Sequence, residues 1–120
     1  MKSNNKAVNS LNTFINKPKF GPLPGTIYTG VSDPELRTSL TLLINNAAED
    51  FKNTAAHDPS EEKFQNDIAT GLARFNNLYL ELDTEDREQV CFYFEEMMDC
   101  VELESSNGQL NDWMYNFDPS

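Results

Sequence analysis

The sequence predicts an all-α protein in which an antiparallel bundle of three long helices is extended by a short helix at each end. Apolar residues recur at helical spacing along most of the chain. The three longest of these segments follow directly on Asp-Pro or Asp-Thr-Glu, which are typical first residues of helices. Because no segment of convincing length alternates polar and apolar residues, we expect no strands. The 120 residues suffice for one domain with its own core.

Residues 1–32 are predicted to form a basic N-terminal arm, and residues 33–120 an acidic helical bundle domain. The arm contains a short helix whose apolar residues are Val8, Leu11, Phe14 and Ile15. Pro18 should end this helix at Lys17. The Pro- and Gly-rich residues 20–30 are predicted to run extended over the surface, with three side chains turned inward: Leu23, Ile27 and Tyr28.

The first two long helices begin at related signals. Asp33-Pro34-Glu35 supplies an N-cap, a proline and a first-turn acid, and this helix should end near His57. Asp58-Pro59-Ser60-Glu61 starts the second helix in the same way, and its apolar spacing continues to Leu82. Gly71 weakens that helix by about 1 kcal/mol. The inward faces are predicted to hold Leu36, Leu40, Leu43, Ile44, Ala47, Phe51 and Ala55, then Phe64, Ile68, Leu72, Phe75, Leu78 and Tyr79.

The third long helix is the most apolar segment of the chain. Asp83-Thr84-Glu85-Asp86 provides its cap and its first acids, and the helix is predicted to run to about Glu102. Residues 105–108 break it. A last short helix then carries Leu110, Trp113, Met114 and Phe117.

Charge is unevenly distributed along the chain. The first 32 residues hold four lysines and no acid, whereas the other 88 hold 20 acids and five bases, which together give the net charge of −11. Between Glu81 and Glu104 there are ten acids and one base, Arg87, for a net charge of −9. Such a field repels nucleic acid, anionic lipid and nucleotide substrates. We therefore expect a basic protein partner, and neither nucleic acid nor membrane.

One face of the third long helix is the predicted binding surface. Helical projection places six acids opposite the apolar side, with Phe92 among them. The predicted partner-binding residues are Glu85, Glu88, Phe92, Glu95, Glu96, Asp99 and Glu102. An exposed aromatic side chain ringed by charge is typical of an interface anchor. The alternative is that the C-terminal segment, with Trp113, Tyr115 and Phe117, folds back and covers Phe92.

Residues suited to catalysis are scarce. His57 is the only histidine, which removes most histidine-based metal and nucleophile chemistry. Cys91 and Cys100 are nine residues apart on one predicted helix, too distant for a disulfide, and neighbouring acids disfavour their thiolates. We expect two thiols packed in the core of a cytoplasmic protein, with no catalytic residue, no metal and no cofactor.

The alternative to a protein without catalytic residues is a metal-dependent enzyme. Glu85-x-x-Glu88 followed by Glu96-x-x-Asp99 resembles the acidic motif of all-α nucleotide pyrophosphohydrolases. In that family the two halves lie on separate helices that converge on magnesium. Here all four acids lie on one predicted helix, which arranges them as a stripe.

The C-terminal part of the chain resembles a known family. The segments Leu82-Asp-Thr-Glu-Asp-Arg-Glu88 and Glu104-Ser-Ser-Asn-Gly-Gln-Leu-Asn-Asp-Trp-Met-Tyr-Asn-Phe-Asp-Pro119 are similar to small bacterial proteins catalogued as a domain of unknown function. The similarity is strongest over residues 82–119. It implies a bacterial source, a free-standing single domain and a helical fold, and it assigns no catalytic or binding residue.

The predicted function is a small cytosolic acidic protein-binding module and not an enzyme. In its concrete form it is an immunity or inhibitor protein that neutralises a basic bacterial toxin or enzyme through the acidic helix face. It is expected to be a monomer or a homodimer. The alternatives are a self-associating accessory or structural protein and a metal-dependent all-α nucleotide phosphohydrolase.

Overall fold

The computed structural model describes residues 4–22, 25 and 28–115. Within them the helices are α1 (Asn4–Asn16), α2 (Pro34–His57), α3 (Glu61–Ala73), a 3-10 helix (Asn76–Glu81), α4 (Thr84–Cys100) and α5 (Gln109–Tyr115). No strand occurs in this part of the chain, so the all-α prediction is confirmed. None of the helices in these ranges is long and apolar enough to cross a bilayer.

Side-chain caps fix where the three longer helices after α1 begin. Asp33, Ser60 and Asp83 are the N-caps of α2, α3 and α4, and each accepts a hydrogen bond of 2.8–3.2 Å from a backbone N–H two or three residues later. The cap of α3 is therefore Ser60, whereas the predicted Asp58 is the residue that ends α2. All three helix starts lie within two residues of their predicted positions because the capping groups are local to the sequence.

The predicted inward faces form one core. α2 packs against α1 and α3, α4 contacts α1 and α2, and α5 rests on α3 and α4. Residues that are fully buried at these contacts include Leu40, Ile44, Ala47, Phe51, Phe64, Ile68, Val90, Phe94 and Met97. Leu36 and Leu43, also predicted to face inward, are partly buried at its edge.

The second long helix is shorter than predicted. A continuous helix to Leu82 is wrong, because α3 ends at Ala73 and the chain continues as the 3-10 helix. Two contacts hold the tighter segment: the Tyr79 hydroxyl donates a 2.9 Å hydrogen bond to the backbone oxygen of Met114, and the Tyr79 carbonyl accepts from both Nε and Nη2 of Arg87. These partners are distant in sequence, so helical spacing alone does not reveal the change.

The N-terminal residues belong to the same core. α1 ends at Asn16, one residue before the predicted Lys17, and Ala7, Leu11 and Phe14 are buried against the rest of the protein. Tyr28 is buried as predicted. Leu23 and Ile27, also predicted to turn inward, lie outside the described residues. The predicted arm and the predicted bundle domain thus share one hydrophobic core.

Two hydrogen bonds fasten the connection after α1 to α4. The backbone N–H of Phe20 donates to the Tyr93 hydroxyl at 2.8 Å, and the Tyr28 hydroxyl donates to Asp86 Oδ1 at 2.9 Å. Burial raises the pKa of Tyr28 and also that of Asp86. Phe20 has a left-handed backbone, with φ of 60°, and its ring packs edge-on against Tyr93. The strained turn is therefore held by contacts with α4.

Lys19 is buried in this connection although it carries a charge. Only 3% of its surface is exposed, and Nζ donates to three backbone carbonyls, of Phe14, Ile15 and Lys17, at 2.6, 3.4 and 2.9 Å. These carbonyls include two at the C-terminal end of α1, where a cation is favoured. Burial, and then repulsion by Lys17, lowers the pKa of Lys19 to about 8.

Replacement of Gly71 by alanine should destabilise the protein despite the better helix propensity of alanine. A Cβ at this position would lie 2.8 Å from Cζ of Phe94 and 3.0 Å from Cβ of Ala47, inside the core. We expect a loss of about 1–3 kcal/mol of unfolding free energy, typical of overpacking. Thr70→Ala, on an exposed position of the same helix, is the control and should be neutral or slightly stabilising. Urea denaturation of both variants measures the difference, and a stabilised Gly71→Ala protein would contradict the packing.

Stability should depend on pH through Lys19. The folded protein releases the Lys19 proton near a pKa of about 8, whereas the unfolded chain holds it to 10.5, so unfolding takes up a proton between these values. The unfolding free energy of the wild type relative to Lys19→Met should therefore rise from pH 7 to pH 9.5. Repulsion by Lys17 and attraction by Glu96 act on Lys19 itself, and both are contained in the pKa of about 8. Denaturation series at each pH test it, and a constant difference would contradict the burial of the charge.

Candidate partner-binding site on α4

Three consecutive aromatic residues show how α4 is oriented. Tyr93 and Phe94 are 2% and 0% exposed and point into the core, whereas Phe92 is 52% exposed. Tyr93 is fixed by edge-on contacts with the rings of Phe14 and Phe20. Because these contacts lock the rotation of the helix, Phe92 and the acids on its side are directed to solvent.

Phe92 lies in a cleft between α4 and α5, which we call the aromatic groove. It has a volume of about 360 Å³. Its lining residues are Glu88, Cys91, Phe92, Glu95, Leu110, Asn111, Met114 and Tyr115. Tyr115 is 69% exposed, so the groove presents two accessible aromatic side chains. The charged residues that line it within the described part of the chain are acids, Glu88 and Glu95, one turn before and one turn after Phe92.

The thiol in this groove is chemically quiet. Cys91 is buried, and its Sγ contacts the backbone oxygen of Leu110 at 3.8 Å. Burial, followed by repulsion from Glu95 and Glu88, raises the pKa of Cys91 to about 12. The thiol is therefore protonated at neutral pH and contributes apolar surface, because only the thiolate is an effective nucleophile.

The wall of the groove formed by α5 is held by aromatic contacts. Trp113 packs edge-on against Phe75 and Tyr79, with ring centroids 6.1 and 5.1 Å apart. The hydrogen bond from Tyr79 to the Met114 carbonyl fixes the end of the same helix. These contacts hold α5 in place beside α4, so the groove is already formed in the folded protein.

A second cavity continues along the acidic side of α4, and we call it the acidic pocket. Its volume is about 480 Å³, and it is lined by Glu95, Met98, Asp99, Glu102, Leu103 and Glu104. Glu95 borders both the aromatic groove and the acidic pocket. The two cavities therefore form one continuous acidic surface with its aromatic side chains at one end.

The end of α4 shapes the acidic pocket. The helix ends at Cys100, and Glu102 adopts a left-handed backbone with φ of 59°. The N–H of Leu103 donates to the Met98 carbonyl at 2.9 Å, and the N–H of Glu102 donates to the Asp99 carbonyl at 3.2 Å. These are the two bonds of a Schellman motif, in which glycine is the usual residue at the left-handed position.

The structure distributes the seven predicted partner-binding residues as follows. Glu88, Phe92 and Glu95 line the aromatic groove, and Glu95, Asp99 and Glu102 line the acidic pocket. Glu85 is exposed in the first turn of α4, outside both cavities. Glu96 is partly buried and bound to Lys17 at 2.5 Å, so a lysine of the same chain already occupies it.

The described part of the C-terminal segment leaves Phe92 accessible. Trp113 is 5% exposed but packs on Phe75 and Tyr79, and Tyr115 borders the groove without closing it. Phe117, the third residue of the predicted cover, lies outside the described residues. The resulting arrangement is an exposed aromatic side chain bordered by C-terminal residues and by carboxylates.

Several residues of the groove escaped prediction from the sequence. Leu110 and Met114 were expected in the last short helix, but nothing in their spacing indicated that they face Cys91 and Phe92. Asn111 gave no signal at all. The pairing of α4 with α5 is a tertiary contact, and a residue pattern within either helix does not encode it.

The acids of α4 do not converge on a metal position. In the described ranges, no group of three or more histidine, cysteine, aspartate or glutamate side chains is arranged to hold a metal ion. Glu85, Glu88, Glu96 and Asp99, which resemble a divided magnesium motif, all belong to the single helix α4. Helical geometry spreads them along about four turns.

The chain is similar to proteins that have been classified by sequence and by structure. The profile of a family described as Domain of unknown function (DUF4844) matches residues 2–118. A crystal structure of a DUF3571 family protein from Acinetobacter baumannii AYE is similar at 35% sequence identity and a TM-score of 0.88, over 97% of this chain and 94% of that one. None of the curated proteins matches the chain.

Replacement of Glu102 by glycine should stabilise the protein. A residue other than glycine in the left-handed region costs of order 1–3 kcal/mol, so Glu102→Gly should gain about 1 kcal/mol after the greater flexibility of the unfolded glycine chain is subtracted. Glu104→Gly is the control, because it removes the same charge from the same pocket at a position without left-handed backbone. Thermal and urea denaturation compare them, and equal effects of the two substitutions would show that charge, not backbone strain, is responsible.

Proposed function

The chain belongs to the Domain of unknown function (DUF4844) family, and on that premise we propose that it is a small acidic protein-binding module that captures a basic partner protein. The partner docks on the aromatic groove and the acidic pocket of α4. The observation that carries the proposal is the position of Phe92, a half-exposed aromatic side chain between Glu88 and Glu95.

The groove combines the two kinds of contact that a protein interface needs. Phe92 and Tyr115 supply large apolar surfaces that lose water when a partner binds, and aromatic side chains are enriched among residues that dominate interface energies. Glu88, Glu95, Asp99 and Glu102 surround this centre with negative charge. A partner of matching shape would present an apolar side chain flanked by lysine or arginine.

The charge of the whole protein supports the same kind of partner. At a net charge of −11, the protein attracts cationic surfaces over distances of about a Debye length and speeds their association. The ion pair between Lys17 and Glu96 is an example, within the chain, of a lysine bound by an acid of α4. It is exposed and therefore contributes little to stability.

An immunity or inhibitor protein is the concrete form of this proposal. Such a protein neutralises a basic toxin or enzyme by covering its cationic surface, and it needs no catalytic residue of its own. We place the protein in the bacterial cytoplasm on two grounds: the similar crystal structure is of a protein from Acinetobacter baumannii AYE, and the two cysteines do not form a disulfide.

Photo-crosslinking in source cells tests the site directly. A photoreactive phenylalanine analogue at position 92 should crosslink one basic protein at high yield. The same analogue at Leu80, which is 75% exposed on the 3-10 helix, should not. The double substitution Glu88→Lys and Glu95→Lys should abolish the crosslink, because it reverses the charge on both sides of Phe92.

A matched charge reversal separates local from overall charge. Glu61→Lys and Glu62→Lys change the net charge equally at exposed positions in the first turn of α3, so they should preserve the crosslink from position 92. Crosslinking to the same proteins from positions 92 and 80 would contradict a specific site. A crosslink to a second copy of the chain would support self-association instead, and no crosslinked protein would exclude the groove as a docking site.

A further inference from the structure

A third cavity lies on a different part of the surface and has the opposite charge. We call it the basic pocket. It lies between the connection after α1 and the first half of α2, with a volume of about 520 Å³, which is within the usual range for small-molecule sites. Its lining includes Lys19, Gly21, Arg37, Thr41, Leu42 and Asn45.

The ionisable side chains lining this pocket are both cations. Lys19 and Arg37 border it, and none of the acids in the described ranges does. Among the described residues, neither cation has a carboxylate within ion-pair distance, and the nearby Glu96 pairs with Lys17. In a protein with 20 acids and nine bases, a pocket with two positive charges and no lining carboxylate is a local reversal of the overall field.

Arg37 retains hydrogen-bond donors for a ligand. Its Nε and Nη2 both donate to the carbonyl of Val31, at 2.9 and 2.6 Å, which fixes the plane of the guanidinium. Nη1 takes no part in these bonds and lies beside Gly21, 3.8 Å from where a Cβ of that residue would be. A guanidinium held in this way has little side-chain freedom left to lose when it binds an anion.

Lys19 contributes charge without contributing donors. Its Nζ is engaged by three backbone carbonyls, so it cannot turn toward a ligand. Carbonyl dipoles leave the net positive charge in place, and burial at 3% exposure limits its screening by water. An anion at Nη1 of Arg37 would therefore also be attracted by a fixed second charge.

The other walls of the pocket are mostly apolar. Leu42 is 59% exposed and lines it, although a leucine in the middle of a long surface helix gains nothing from solvent exposure. Asn45 adds an amide whose Oδ1 is buried and accepts no hydrogen bond from the protein. Two hydroxyls also line the pocket, and that of Thr38 donates to the Pro34 carbonyl, so Nη1 of Arg37 and the Thr41 hydroxyl remain as donors for an anion. A strongly hydrated phosphate needs donors for several oxygens, whereas a carboxylate on an apolar body matches one guanidinium edge and an apolar wall.

We propose that the basic pocket binds a small aliphatic carboxylic acid, with the carboxylate at Nη1 of Arg37 and the hydrocarbon against Leu42. The proposal is independent of the partner-binding function of α4. It predicts recognition of both parts of the ligand, so an alcohol or an amine of the same chain length binds more weakly than the acid.

Titration of the full-length protein with octanoate, octan-1-ol and octylamine, followed by amide chemical shifts in NMR spectra, tests the proposal. Octanoate should bind at least tenfold more tightly than either neutral or cationic analogue, with the largest shifts at Gly21, Arg37 and Leu42. Absence of octanoate binding up to 5 mM, or binding of octan-1-ol with equal affinity, would overturn it.

Two substitutions at one exposed position supply the matched control. Leu42→Glu places a carboxylate in the pocket and should weaken octanoate binding at least tenfold, whereas Leu42→Gln removes apolar surface without adding charge and should weaken it about two- to threefold. Because Leu42 is exposed, both variants should retain the wild-type fold, which thermal denaturation verifies. Equal weakening by the two variants would overturn the assignment of an anion site.

Discussion

The orientation of α4 depends on the burial of Tyr93 and Phe94, and the rest of the structure depends on that orientation. Tyr93 receives the rings of Phe14 and Phe20 and accepts the Phe20 N–H, which ties the N-terminal residues to the core. Phe94 fills the space that Gly71 leaves open against α2 and α3. Neither contact tolerates a rotation of the helix. The acids and Phe92 face solvent because the opposite side of α4 is required inside.

The acidic surface of α4 is neutralised by few bases of the same chain. Nine bases stand against 20 acids, and three of the nine are held by backbone carbonyls: Lys19 and Arg37 in and beside the connection after α1, and Arg87 at the Tyr79 carbonyl. Lys52, Lys63 and Arg74 pair with acids outside α4. Of the bases that the structure describes, Lys17 alone pairs with an acid of α4, at Glu96. The surface formed by the aromatic groove and the acidic pocket therefore keeps its field, which favours a cationic partner.

Structural use of the bases also produces the one local exception. Lys19 and Arg37 are held by carbonyl dipoles and not by carboxylates, so the basic pocket remains positive within an acidic protein. Arg37 can be held by a single carbonyl because Phe20 and Gly30 both adopt left-handed backbone, which brings Val31 into place. The small number of basic residues, and their binding to backbone carbonyls, thus accounts for both the negative surface on α4 and the positive basic pocket.

The sequence by itself determined the helical class, the starts of α2 and α4, the start of α3 to within two residues, the inward faces and the place of Phe92 among the acids of one face of α4. Each of these depends on capping groups or on spacing within a single helix, and such signals are local. Only the tertiary structure decided the exposure of Phe92, the end of α3 at Ala73, the groove wall contributed by Leu110 and Met114, and the pairing of Glu96 with Lys17. It also showed that Gly71, which lowers helix propensity, is required because a Cβ would collide with Phe94 and Ala47. These features arise where residues distant in sequence meet. Such contacts stabilise the fold but produce no periodic residue pattern in either segment, so the sequence does not reveal them.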